Sequence, residues 1–266
     1  MGNITLGRYL PINSFIHRLD PRLKIMSLLL LLISIFFDSG FIGYAILTVF
    51  VCLVVKLAKI NISYVLKALK PMIFMMSFLM ILNIFMIRQG TVLLSLGDFK
   101  IYTGGFIQTA YILIRLVLIV TLTTVLTAST KPLDLTLGLE HLFNPFKKIG
   151  FPAHEVSMMI SIALRFIPTL LEETERIMKA QSSRGVDFKE GSLKEKIKAI
   201  VSLIVPLFIS AFQRAEELAN AMESRGYNPE GKRTRYKQLH WSFQDTLSMG
   251  TVTVLSVGII IMSVVI

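Results

Sequence analysis

The chain contains a single cysteine, Cys52, and it lies inside an apolar run. One thiol in that setting excludes a disulfide framework and a thiolate metal site. Charge is scarce too: 17% of the 266 residues are charged, against about 25% in an ordinary soluble domain. The four histidines, His17, His141, His154 and His240, are dispersed at no spacing suited to a shared metal ion. Motifs that carry chemistry are missing as well. No Gly-x-x-x-x-Gly-Lys-Ser/Thr run is present to cradle ATP phosphates, and no His-Glu-x-x-His or Gly-x-Ser-x-Gly to build an intramembrane hydrolase. An enzyme has little to rest on.

Apolar residues are abundant instead. They make up 53% of the chain, and the mean hydropathy is +0.66, an integral-membrane composition. The formal net charge of +11 does not call for a nucleic acid, because the cytoplasmic loops of membrane proteins carry surplus Lys and Arg. The start resembles a signal peptide, with Arg18, Arg22 and Lys24 before an apolar run, but no small-residue cleavage site follows Phe36-Phe37-Asp38, so a retained first span is expected. Hydropathy predicts five spans, near 23–37, 41–58, 72–87, 106–127 and 246–265, the first and third short for a core of roughly 30 Å. Lys56, Lys59, Lys67 and Lys70 lie between spans two and three. The N-terminal arm carries Arg8, Arg18, Arg22 and Lys24, whereas the opposite loops, 38–40 and 88–105, hold only Arg88 and Lys100 as cations. This asymmetry predicts a cytoplasmic N-terminus and an external C-terminus.

Segment 128–245 is then cytoplasmic. It contains two runs, Phe151 to Leu171 and Ala199 to Phe212, that hydropathy alone would mark as spans. The first includes His154, Glu155 and Arg165; the second is short and contains Pro206, closer to an interfacial helix. Crossing by both would export the polar stretch 172–198. Apolar stripes predict two long helices: Val156, Met159, Ala163, Ile167, Leu170, Thr174 and Ile177 in one, and Ile197, Ile200, Ile204, Phe208, Ala211, Ala215, Leu218 and Met222 in the other. Pro168 and Pro206 fall inside them and are expected to kink them. A shorter helix is expected over 132–148, a turn over 186–192, and a basic irregular return over 227–240.

The two long helices end alike, in Ala180-Gln181-Ser182-Ser183-Arg184-Gly185 and Ala221-Met222-Glu223-Ser224-Arg225-Gly226. A basic residue in the last turn followed by glycine is ordinary helix termination. Two copies that share alanine, serine, arginine and glycine at the same offsets ask for more, since arginine offers a planar fork to carboxylates or carbonyls of a partner. The arm before span one reads His17-Arg18-Leu19-Asp20-Pro21-Arg22-Leu23-Lys24, in which Asp20 can cap a helix and Pro21 fits its first turn.

Taken together, the Asp20-Pro21-Arg22 arm and the paired Arg-Gly ends resemble the T component of energy-coupling factor transporters, the membrane scaffold of a class of ATP-driven importers. The resemblance covers nearly the whole chain, though the family motif is commonly Ala-Arg-Gly and both copies here carry serine in the first place. It implies an all-α integral membrane protein of about five transmembrane helices plus a cytoplasmic helical coupling domain with two long amphipathic helices. The corresponding regions are 1–127 (arm and first four spans), 128–245 (coupling domain) and 246–266 (last span). It also implies partners: two ABC-type ATPases, A and A′, which bind ATP and Mg, and a membrane-embedded S component that binds the substrate. Ala180, Ser183, Arg184, Gly185, Ala221, Ser224, Arg225 and Gly226 would contact the ATPases. Asp20, Pro21 and Arg22 would form a structural arm. This chain would bind the bilayer but no cofactor, metal or nucleic acid. Met72, Met75, Met76, Met80 and Met86 would give span three adaptable packing, and Arg115, within span four, calls for a structural partner. The alternative is a self-contained secondary transporter, which should show repeats among its spans; here the repeat lies in the segment between them.

Overall fold

The computed structural model describes residues 9–37, 39–87, 91–96, 99–149, 152–188, 190–228 and 238–265. It is helical throughout apart from one hairpin. In chain order the helices are α1 (Phe15–Arg18), α2 (Pro21–Phe36), α3 (Gly40–Leu57), α4 (Ile62–Leu69), α5 (Ile73–Met86), α6 (Thr103–Ser129), α7 (Pro132–Phe143), α8 (Ala153–Ser183), α9 (Leu193–Ser224) and α10 (Phe243–Val265). The hairpin pairs β1 (Val92–Leu96) with β2 (Phe99–Tyr102), antiparallel, in the segment expected from sequence to be a loop between spans three and four. Arg8, Arg88 and most of the basic return at 227–240 lie outside the described residues.

The chain divides into two compact units, 1–142 with 239–266, and 143–238. In the first unit α2 packs between α6 and α10, and α3 packs on α6. Leu31, Ile35, Tyr44, Leu47, Leu118, Leu122, Val252 and Ile259 form its core, and a second cluster around Val55, Ala58, Val65, Val125 and Ala128 closes one end. Helix α4 runs through a short 3-10 turn at Lys70–Met72 into α5, because Pro71 has no N–H to continue the α ladder. Span three therefore begins near Ile62 rather than 72.

Five helical segments are long and apolar enough to cross a membrane: Gly40–Leu57, Ile62–Ile84, Thr103–Ser129, His154–Ser183 and Phe243–Val265. The set differs from the expected one in two members. Helix α2 has only 16 residues, about 24 Å at 1.5 Å per residue, short of a hydrocarbon core. Helix α8 qualifies although the sequence reading kept it out of the bilayer.

Arg115 has found its structural partner. Its Nε and Nη2 donate to the Tyr44 hydroxyl at 3.1 and 2.6 Å, and that hydroxyl donates in turn to the Ile35 carbonyl at 3.1 Å. The guanidinium also lies within 6 Å of the Phe36 and Tyr44 ring centres, at 5.7 and 5.9 Å.

The second unit is built on an antiparallel pair. Gln181 Nε2 donates to Ser202 O at 3.3 Å, Arg214 Nη2 to Glu173 Oε2 at 2.8 Å, and Tyr227 Oη to Met158 Sδ at 3.3 Å. As the α8 partner moves toward the N-terminus, the α9 partner moves toward the C-terminus. Between them Phe166, Leu170, Ala211, Ala215, Leu218 and Met222 line a groove of about 230 Å³. The expected α9 stripe is thus correct over 211–222 and wrong over 197–208, where Ile197, Ile200, Ile204 and Phe208 are exposed and Ala199 is buried. In α8, Ile162 and Phe166 face the groove in place of Ala163 and Ile167. The reason lies in α9 itself: residues 199–209 are apolar on nearly every side, so periodicity has little polar face to measure against.

Candidate functional site: two arginine-tipped helix ends and a buried arm

Helices α8 and α9 close by the same hydrogen bonds. At the end of α8, Gly185 N–H donates to Ser182 O at 3.0 Å and Val186 N–H to Gln181 O at 3.1 Å. At the end of α9, Gly226 N–H donates to Glu223 O at 2.8 Å and Tyr227 N–H to Met222 O at 2.9 Å. Each is a Schellman closure, which needs its first residue beyond the cap in the left-handed region. Gly185 (φ +86°) and Gly226 (φ +71°) supply it.

The arginines are not needed for that closure. Helix α3 ends with the same pair of bonds, Lys59 N–H to Lys56 O and Ile60 N–H to Val55 O, with Ala58 at the cap where Arg184 and Arg225 stand. Ser183 Oγ donates to Lys179 O at 3.1 Å and Ser224 Oγ to Ala221 O at 3.0 Å, so both serines bond back to their own helices. Ala180 and Ala221 are exposed and clear the flank of each tip. Arg184 and Arg225 are themselves exposed, and neither guanidinium bonds to another described residue. Because the helices run antiparallel, the two tips lie at opposite ends of the pair. Gln181, three residues before Arg184, meets Ser202; from there to Arg225 is about 34 Å along α9.

Helix α9 starts on a capping box. Ser192 Oγ accepts from Glu195 N–H at 3.4 Å, while Ser192 N–H donates to Glu195 Oε2 at 2.7 Å. Donation from Ser192 N–H, and from Ser192 Oγ–H at 2.9 Å, holds the Glu195 carboxyl below the usual carboxylate range.

The arm is packed at its centre, with Asp20 and Lys24 buried and Pro21 and Arg22 half-buried. Asp20 caps α2 by accepting from Arg22 N–H at 2.8 Å, and Pro21 takes the first helical position. Asp20 N–H donates to Asp245 Oδ1 at 2.9 Å, and Asp245 Oδ2 accepts from Ser242 N–H and Oγ–H at 2.8 and 2.7 Å. Asp245 is 2% exposed. The Lys24 ammonium donates to His17 O, Ser129 O and Thr130 Oγ1 at 3.3, 3.1 and 3.2 Å. Sequence reasoning missed Asp245 and Lys24 as members of this cluster. The available signal was Ser242-x-x-Asp245, a reciprocal cap at the start of α10.

His17 bonds through both ring nitrogens, Nε2 to Leu10 O at 3.0 Å and Nδ1 to Ser14 Oγ at 2.7 Å. A carbonyl can only accept, so the proton assigned here sits on Nε2 and Nδ1 accepts from the hydroxyl. Burial lowers the His17 pKa from 6.5, with the Lys24 charge adding to the effect. His141 is lowered first by burial and then by Arg22.

The geometry offers two separated cationic tips and one pinned arm. Comparison with known proteins finds relatives over nearly the whole chain. The family described as cobalt transport protein (CbiQ) matches residues 12–236. A Bacillus subtilis protein named energy-coupling factor transporter transmembrane protein EcfT is 46% identical over 256 residues, covering 96% of this chain and 97% of its own. Proteins of the same name from Staphylococcus aureus and Lactococcus lactis are 46% and 43% identical, with 92% and 99% of each chain covered.

Proposed function

This chain belongs to the family of energy-coupling factor transporter transmembrane proteins, and on that premise we propose that it is the scaffold through which two ATPase subunits drive a separate substrate-binding membrane subunit. ATP and Mg are held by the ATPases, A and A′, and this chain, which has no phosphate-binding motif, is a non-catalytic subunit. The S component selects the compound, a vitamin or other micronutrient. The family description speaks of cobalt and the names of the relatives specify no substrate, in keeping with selection by another subunit.

The observation that carries the reading is the pair of Arg-Gly ends. Their glycines are accounted for by helix closure, whereas their arginines are exposed and bond to no other described residue. A separation of about 34 Å suits two partner pockets better than one. Ser183, Ser224, Ala180 and Ala221 then shape the approach of each tip, and the Asp20-Pro21-Arg22 arm serves assembly. Movement of the ATPases would reach the S component through α8 and α9.

On this reading 128–245, the coupling domain, and the N-terminus face the cytoplasm, and the C-terminus lies outside. Helix α8 lies along or beneath the bilayer despite its length. Crossing by both α8 and the apolar run of α9 would put Arg184 and Arg225 on opposite sides and would carry seven Lys or Arg of 172–198 outward.

Truncating a hydrogen-bonded charge at an interface costs about 2–5 kcal/mol. Arg184→Ala or Arg225→Ala should each weaken ATPase copurification, and the double variant should largely release both ATPases. Arg184→Lys and Arg225→Lys should rescue poorly, since an ammonium lacks the planar fork. Normal uptake by the double alanine variant would refute the proposal, as would purification of an active transporter with no ATPase attached.

A further inference from the structure

Within the first unit, α1, α2, α3, α6 and α10 surround a cavity of about 200 Å³. Its inner wall is apolar, with Leu23, Leu28, Leu31, Phe50, Leu122 and Val252. All of its polar side chains but Ser248 are engaged elsewhere, and one hydroxyl is fewer than the two partners a water needs. The Lys24 ammonium spends its three N–H bonds on His17 O, Ser129 O and Thr130 Oγ1. Ser27 Oγ turns to Met249 Sδ, and Thr251 Oγ1 to Ser248 O in its own helix. Water held in a protein needs two to four polar partners, so this space does not suit water. Nor is it sealed. Phe15, Leu53 and Leu57 at its edge are 40%, 50% and 43% exposed. The last two belong to α3, which is long and apolar enough to cross a membrane. The medium against that opening is therefore hydrocarbon.

The charges at one end of the opening share a sign. Arg18 stands in α1 with Phe15 and Ile16, and Lys56 and Lys59 flank Leu57; all three cations are exposed. No Asp or Glu occurs in the sequence between Asp38 and Asp98, which holds Lys56 and Lys59. From Leu23 to Leu31 the wall extends eight residues, about 12 Å along α2, most of the roughly 15 Å that one leaflet's acyl chains fill in a core of about 30 Å.

We propose that this cavity binds one acyl chain of an anionic phospholipid, whose phosphate rests at the Arg18, Lys56 and Lys59 end. The chain fills space that the side chains of α2, α3 and α6 leave open, and a protein interior tolerates such space poorly. The cations select the headgroup by charge.

The test uses the full chain, purified with whatever subunits accompany it, in a Trp241→Phe background. Phe50→Trp places an indole in the cavity wall, and Val49→Trp places one at a neighbouring position that is 68% exposed. The probe is brominated phosphatidylglycerol as a minor component of phosphatidylcholine vesicles. A lipid site predicts quenching at Phe50→Trp several-fold stronger than at Val49→Trp. Brominated phosphatidylcholine at the same fraction should lose that excess, as should replacing Arg18, Lys56 and Lys59 with Gln. Equal quenching at both positions overturns the site, and equal quenching by both lipids overturns headgroup selection. No quenching at Phe50→Trp means that protein fills the space, which also overturns the proposal. Should Phe50→Trp fail to fold, the unsubstituted chain decides: it should retain phosphatidylglycerol through detergent washing when followed by native mass spectrometry, and complete loss refutes the site.

Discussion

Arginine and glycine in the repeated ends perform separable tasks. An added Cβ at Gly185 or Gly226 meets nothing within 4 Å, so the cost of Gly185→Ala or Gly226→Ala is conformational, about 1–2 kcal/mol for an L-residue held left-handed. Amide hydrogen exchange should therefore speed up in the last turn of the altered helix. Unchanged exchange would mean that the closure is maintained by something other than the glycine. His17 and His141 give a second outcome at this scale. Both have folded-state pKa values below the unfolded 6.5, chiefly through burial. The unfolded chain consequently takes up protons before the folded one. The stability tied to their neutral forms is complete above about 6.5 and is lost as pH falls through the lowered folded values. A thermal midpoint followed downward from neutral pH should fall through that window, and a His17→Gln, His141→Gln double variant should flatten the decline.

At the scale of elements, the boundaries of α8 and α9 were legible because glycine and arginine mark ends chemically. Asp20 and Pro21 announced the start of α2 for the same reason, since a side-chain acceptor and a fixed φ act within a few residues. The inward face of α9 was not legible. Its first half is apolar nearly all round, and only contact with α8 decides that Ala199 turns inward while Ile204 and Phe208 turn out. Nor could local pattern reveal that the two tips lie at opposite ends of a pair, which depends on bonds 21 and 41 residues apart in sequence. The antiparallel arrangement has a direct check. With Cys52 replaced by serine, Gln181→Cys paired with Ser202→Cys should join through a short crosslinker, whereas Ser183→Cys paired with Ser224→Cys should not, at a separation of about 34 Å. The reverse result would require a parallel or crossed pair.

For the whole molecule, composition revealed a membrane protein, and hydropathy found four of the five segments long enough to cross. It placed α2 as a span from its apolarity although only 16 residues of helix form, because a helix central to a bundle can be shorter than the bilayer its neighbours cross. Sidedness is open to a simple measurement. Single cysteines at Ser183 and Ser224 should react with an impermeant reagent only from the cytoplasmic face; reaction of either from outside would sink the proposed topology. The arm cluster has consequences at the same scale, because Asp20 N–H and Asp245 Oδ1 join positions 225 residues apart. Removing that acceptor charge with Asp245→Ala leaves a buried N–H without its partner, at a cost of about 1–3 kcal/mol, and should lower the yield of folded protein more than it lowers uptake per folded molecule. On a ribosome adding roughly 5–20 residues each second, α2 waits about 10–45 s for the residue that completes its start. Through that interval the nascent arm carries an unfinished polar end, a mark that separates an unfinished chain from a finished one. A chain that stops before Ser242 never loses that mark.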